Sequence, residues 1–115
     1  MLPGTGGTQR LARLGSFAID LQSGELSGSR EFFALMGFDA EHAGGKVDPE
    51  ILLARVHDED RAGVRETVEE CVRTGHAARL DHRVVASERI RVMHTQVQVL
   101  RGDDGRAIQL EGTLQ

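Results

Sequence analysis

The chain contains no tryptophan and no tyrosine, and its only aromatic side chains are Phe17, Phe32, Phe33 and Phe38. Any core built from it is therefore mainly aliphatic. A single cysteine, Cys71, excludes an internal disulfide framework and fits a reducing compartment. No apolar run approaches the ~20 residues of a membrane-spanning helix, and the N-terminus lacks the apolar stretch of a secretion signal. The cytoplasm is the expected location, with no membrane partner. Basic charge is not in excess: the net charge of −4 argues against nucleic acid as the main partner, because phosphates need neutralising. Catalytic signatures are missing as well. The glycines of Gly4-Thr5-Gly6-Gly7 do not sit between a strand and a helix, and no His/Cys/carboxylate spacing resembles a zinc site. Asp81-His82 and His57-Asp58 are sequence neighbours, which on a strand point apart. No enzymatic activity and no bound metal are expected.

What is present fits one domain: 115 residues with an apolar fraction of 39%. Residues 57–75, HDEDRAGVRETVEECVRTG, predict the longest helix. Asp58, Glu59 and Asp60 crowd its start, where negative charge suits the helix dipole; Arg73 and Gly75 suit its end. Val64, Val68, Cys71 and Val72 fall on one face. At ~1.5 Å per residue the helix spans roughly 25 Å and needs a sheet or bundle to lie on.

Residues 1–8 read as a flexible leader or an expression remnant, and residues 9–14 as one helical turn with Leu11 and Leu14 on one side. Residues 16–21 alternate, with Phe17, Ile19 and Leu21 on one face; a turn at Gln22-Ser23-Gly24 and a short strand over residues 25–28 complete a hairpin. Ser29 caps a helix carrying Phe32, Phe33, Leu35 and Met36, which ends at Gly37. Residues 39–46 form a polar, Gly-rich loop with a turn of helix at most, and Asp48-Pro49 opens a short helix bearing Ile51, Leu52 and Leu53. After Gly75 the period becomes two. Leu80, His82 and Val84 share one face; Met93, Thr95, Val97 and Val99 alternate with His94, Gln96 and Gln98; Ile108, Leu110, Gly112 and Leu114 alternate in the last strand. Turns fall at residues 86–89 and 102–105. The fold class is α+β: a five-stranded antiparallel sheet with helices crossing over one face.

Four stretches in this order resemble a PAS domain with its PAC motif, over residues 15–115. They are the opening strand GSFAIDL (15–21); SGEL (23–26) with FALMGFD (33–39); VHDEDR (56–61), similar to the "VHPDDR" that starts the family's long helix; and the hairpin GDDGRAIQLEG (102–112). Aromatics usual near Phe17, Ile19 and Gly28 are missing, and Ala86-Ser87-Glu88-Arg89 replaces the usual acidic-glycine turn. The resemblance implies a sensor module excised from a larger signalling protein with an attached output domain. It also implies a pocket between sheet and helices. The lining expected from it is Phe17, Ile19, Phe33, Met36, Ile51, Leu52, Val56, Val64, Val68, Leu80, Met93, Val97 and Leu110. Such a lining suits a fatty acid or another lipophile; the same residues also suit an ordinary packed core.

The cofactor is unknown, and the sequence argues against flavin and haem. Flavin-binding relatives carry their cysteine in an Asn-Cys-Arg-Phe-type motif before the long helix, whereas Cys71 lies near that helix's end. Of the histidines that would serve haem, His57 belongs to the helix cap and His76 to a loop. His82 and His94 lie on strands as polar groups at the pocket rim or as structural residues. The sheet's outer face is half apolar, with Val85, Val92 and Leu100 amid Gln96 and Gln98. Leu11, Leu14, Val92 and Leu100 are the expected interface, covered in relatives by an N-terminal helix or a second protomer. Two functions follow: a sensor for a small hydrophobic ligand, or a ligand-free homodimerisation module.

Overall fold

Alternation at both ends of the chain builds one sheet, and the segment between the ends crosses over it as three helices. The structure is a computed structural model that describes residues 14–39, 44–86 and 88–115. The elements are β1 (Gly15–Asp20), β2 (Leu26–Gly28), α1 (Arg30–Leu35), α2 (Pro49–Leu53), α3 (Asp58–Thr74), β3 (Ala78–Ala86), β4 (Arg89–Arg101) and β5 (Ala107–Leu114). The strand order is β2-β1-β5-β4-β3, antiparallel throughout, so the last strand in sequence lies in the middle of the sheet. The five-stranded α+β expectation holds. Leu11 and the predicted turn over residues 9–14, Leu14 excepted, lie outside the described residues, as do residues 40–43 of the polar loop.

Each helix starts where a side chain satisfies a free N–H. Ser29 Oγ accepts from Phe32 N at 3.1 Å and also from Ser16 N at 3.0 Å, so one hydroxyl caps α1 and fastens it to β1. Asp48 Oδ1 accepts from Glu50 N at 2.9 Å, with Pro49 in the first turn. His57 Nδ1 accepts from Glu59 N at 3.2 Å, which makes His57 the cap of α3. That helix ends at Gly75, whose φ of 80° is the left-handed conformation a side chain resists.

The crossover also pairs with part of each edge of the sheet. Leu26 and Val47 exchange two backbone hydrogen bonds of 2.8 Å at the β2 edge. At the β3 edge, His57 N donates to Arg83 O at 2.9 Å and Val85 N to Arg55 O at 2.8 Å. Exposed strand edges invite pairing with other chains, and these bonds occupy part of each edge. Asp60 reinforces the second seam. Its carboxylate accepts from Arg83 N at 2.7 Å, Nε at 3.0 Å and Nη2 at 2.9 Å. The Arg83 side chain, then its backbone N–H, holds the Asp60 carboxyl well below the usual carboxylate range, against a smaller opposing effect of burial. A lowered folded-state pKa gives stability that is fully present above the ordinary carboxylate value of about 3.9 and is lost as the pH falls towards the depressed one. Asp60→Asn is therefore expected to lower the urea midpoint at neutral pH. The gap to the wild type should narrow as denaturation is repeated at pH values below about 4; a gap independent of pH would contradict the assignment.

Strand parity sorts the sheet's faces. Phe17, Ile19, Leu80, His82, Val84, Met93, Thr95, Val97, Leu110 and Leu114 face the helices, whereas Arg79, Asp81, Arg83, Val85, Ile90, Val92, His94, Gln96, Gln98 and Glu111 face away. Ile108 departs from its expected burial and is half exposed, because it lies past the last β1–β5 pair, Asp20–Gln109, beside the hairpin turn. The buried side chains fall into two clusters. One centres on Phe33, Leu35, Met36, Leu52, Val84, Met93 and Leu114; the other is Cys71, Val97 and Leu110. Phe17 and Ile19 pack against both.

Candidate functional site

Between the sheet and the crossover helices lies a partly open apolar cavity of about 220 Å³, lined by residues of both core clusters. Its sheet wall comes from Phe17, Ile19, Leu26, Leu80, His82, Thr95, Val97, Leu110 and Leu114, and its helix wall from Phe32, Met36, Pro49, Glu50, Leu52, Leu53, Val56, Val64, Arg65 and Val68. Local structure explains the placement. Val64 and Val68 lie one turn apart on α3 and look down onto the sheet, and only Cys71, a further turn along, reaches full burial. The end of α3 therefore packs on β4 and β5 through Cys71, while its first half stands over the cavity. The paired charges of Arg65 and Glu50, 2.9 Å apart, span from α3 to α2, and both are more than half exposed, at 52% and 65%.

Most of the lining expected from sequence is brought together here, with three corrections. Phe33 is fully buried but belongs to the packed half of the core, edge-on to Phe32 and Phe38 at 5.2 and 6.3 Å. Met93 is buried in the same cluster, one pleat away from the cavity. Ile51 is 38% exposed, because the five-residue α2 turns Leu52 inward and Ile51 outward. Sequence reasoning passed over Leu26, Phe32, Leu53, Thr95, Leu114 and the Glu50–Arg65 pair. For His82 it left two readings open, a polar group at the pocket rim or a structural residue, and the structure places it among the lining residues. A polar residue alternating with Leu80 and Val84 was the signal available.

His82 and Thr95 are the cavity's buried polar groups, 6% and 8% exposed. Strand pairing sets Leu80 opposite Thr95 and His82 opposite Met93, so the two polar residues meet on the diagonal. His82 Nε2 and Thr95 Oγ1 are 2.7 Å apart. Burial pushes the His82 pKa down, against smaller opposing effects of Asp60, the Arg83 backbone and Asp81, so the ring is neutral at neutral pH. His94, expected at the rim or as a structural group, sits instead on the outer face, where Nδ1 meets Asp81 Oδ1 at 2.6 Å. His76 is exposed after α3. Burial raises the Cys71 thiol pKa, so the thiol is a poor nucleophile. Among the described residues, no group of three His, Cys, Asp or Glu side chains is placed to hold a metal ion.

The outer face holds a broader recess of about 950 Å³ with a mixed lining, in which Ser16, Ser27, Arg79, Gln96, Gln98, Glu111 and Thr113 stand beside Ala18, Ala77 and Ala78. Ile90, Val92, Val85 and Leu100 are exposed on the same face, the first two at 59% and 60%. Leu14 is exposed before β1. The smaller inner cavity is the candidate site, because its wall is apolar and carries convergent buried polar groups.

A central last strand, an α-helical crossover and a cavity beneath the longest helix define an antiparallel sensor-type α+β domain. The chain belongs to the family described as PAS fold, which its sequence matches over residues 25–114. Solved structures agree. An RNA-binding light-oxygen-voltage receptor superposes with a TM-score of 0.76 at 26% identity, over 89% of this chain and 28% of that one. The chain thus spans little more than a quarter of that receptor. The sensory box histidine kinase/response regulator from Burkholderia thailandensis gives 0.76 at 18% identity, over 96% of this chain and 82% of that one. The N-terminal domain of a diguanylate cyclase with a PAS/PAC sensor from Marinobacter aquaeolei gives 0.76 at 21%, over 89% and 93%. The curated proteins contain no match to the chain. No helix among the described residues is long and apolar enough to cross a membrane.

Proposed function

We propose that the chain is the sensory module of a larger signalling protein, that it takes up a small hydrophobic ligand between the sheet and α3, and that it performs no catalysis of its own. The observation that carries this reading is the apolar 220 Å³ cavity between the sheet and the crossover helices. A cavity of this kind costs stability when empty, because its wall loses dispersion contacts. At about 25–30 Å³ per heavy atom it holds roughly seven to nine heavy atoms, too few for a long-chain fatty acid but enough for a short lipophile. Leu114 lines the cavity, and the next residue, Gln115, exchanges backbone hydrogen bonds with His94 at 2.7 and 2.9 Å. Occupancy of the cavity thus bears directly on the end of β5, where an output domain would attach. A ligand with different affinities for two arrangements of this strand would shift their populations; equal affinities would shift nothing. Cys71, free and buried, suits the cytoplasm as the proposed location.

The exposed Ile90 and Val92 favour a second reading, a ligand-free module that pairs with a second copy through its outer face. One experiment separates the two. A native mass spectrum of the purified protein should show a mass excess that disappears after organic extraction. An apo mass at twice the chain weight would favour homodimerisation, and an apo monomer would reject both.

A further inference from the structure

The two helices over the cavity are held very differently. α3 is fixed at both ends. The His57 backbone and the Asp60 carboxylate tie its start to Arg83 on β3, and the fully buried Cys71 packs its end against Val97 and Leu110. α2 is a strap. Its flanks are pinned, Val47 to Leu26 by two backbone hydrogen bonds and Arg55 to Val85 by one. Arg61 of α3 donates to Ala54 O at 2.9 Å and to Val56 O at 3.0 Å, which makes the C-terminal flank a hinge. Between the pins, no backbone hydrogen bond joins residues 48–54 to the sheet among the described residues. Leu52 is the one buried residue of the five in the helix. A segment with few buried contacts opens at lower free energy than the body of its domain.

A pair of charges holds the far end of this strap. Glu50, in the first turn of α2, meets Arg65 of α3 at 2.9 Å. Among the described residues this is the one hydrogen bond or ion pair from α2 to α3. The same two residues are the exposed members of the cavity wall, and the rest of the lining is buried or half-buried. The cavity therefore reaches solvent between α2 and α3, where the pair stands. We infer that α2 is the lid of the cavity and Glu50–Arg65 its latch, so that a ligand enters and leaves between α2 and α3 when the pair parts. This rests on the reading of the cavity as a ligand site and goes beyond it by assigning the path and the groups that set the speed of passage. The latch is shut both before entry and after it, so it weighs on association and dissociation alike and leaves the affinity unchanged. Both side chains stand largely in water, which makes the latch weak and sensitive to salt.

The test follows the exchange of ethylbenzene, a hydrocarbon of about eight heavy atoms, by NMR line shapes of methyl groups on the cavity wall at neutral pH and low salt. In Glu50→Gln and in Arg65→Gln, association and dissociation rates should both rise about two- to fivefold, the factor an exposed ion pair supplies, with Kd unchanged. The double variant should be no faster than either single one. In about 1 M sodium chloride, where the screening length is about 3 Å, the ratio of variant to wild-type rates should fall towards one. Glu66→Gln removes a neighbouring charge that is outside the cavity wall and should leave both rates as they are. Wild-type rates in all variants, with ethylbenzene still bound, would overturn the latch and leave the cavity reading standing. A faster dissociation at constant association would mean that the pair holds the ligand rather than the path, and single effects that add up in the double variant would mean that the two residues act separately; either would overturn the inference. Failure of ethylbenzene to bind the wild-type protein would overturn both this inference and the reading on which it rests.

Discussion

Replacing Phe33 by alanine is expected to cost about 3–5 kcal/mol of folding stability, measured as the shift in a urea unfolding curve at constant slope. The ring is fully buried and touches aromatic neighbours on two sides. Its removal forfeits both the transfer free energy and the contacts of the space left behind. Single domains commonly hold about 5–15 kcal/mol in total, so a large share of the margin is at stake. Ile51→Ala is the matched control. Sequence alone treats the two residues alike, as apolar positions on crossover helices. The structure leaves Ile51 38% exposed, so its truncation should cost less than about 1 kcal/mol. Similar losses for the two would mean that α2 sits on the sheet in another rotation.

Filling the cavity should separate function from folding. Val68→Trp puts an indole where α3 stands over the sheet, within a space of only about 220 Å³. Affinity for n-octane, measured by titration, should fall tenfold or more, about 1.4 kcal/mol. Overpacking should cost about 1–3 kcal/mol, leaving the protein folded. The same indole at the outward-facing Val92 should leave octane affinity unchanged. Octane binding that survives Val68→Trp but not Val92→Trp would move the ligand site to the outer face.

The elements were legible because their signals are local. Asp48-Pro49, the acidic triplet 58–60 and Gly75 each mark a helix end by satisfying or freeing backbone groups nearby in sequence. Alternation along β3 and β4 gave each residue its face for the same reason. Depth was not legible. Parity sends Met93 and Thr95 inward alike, but one packs in the core cluster while the other lines the cavity, according to how α1 and α3 are propped above the sheet. Leu26 and Leu114 join the wall only because β1 and β5 become neighbours across some ninety residues of chain. Nor does sequence show where a missing side chain is needed. A Cβ on Gly112 would come within 2.6 Å of the Phe17 ring and collide with the Gln96 carbonyl. The aromatic rests in a notch in β5 that no local pattern announces.

The position of β5 also bears on the order in which the chain can acquire its structure. The two hairpins β1–β2 and β3–β4 are each closed by short turns and can form early, within microseconds by general experience of hairpins. Neither contacts the other through the ladder until residues 107–114 slide between them. On a ribosome the sheet thus stays as two halves until its final strand has emerged. The seam that is sealed last is the one formed by Leu110 and Leu114, which also wall the cavity. The sheet wall of the cavity is thus the last part of the domain to be completed.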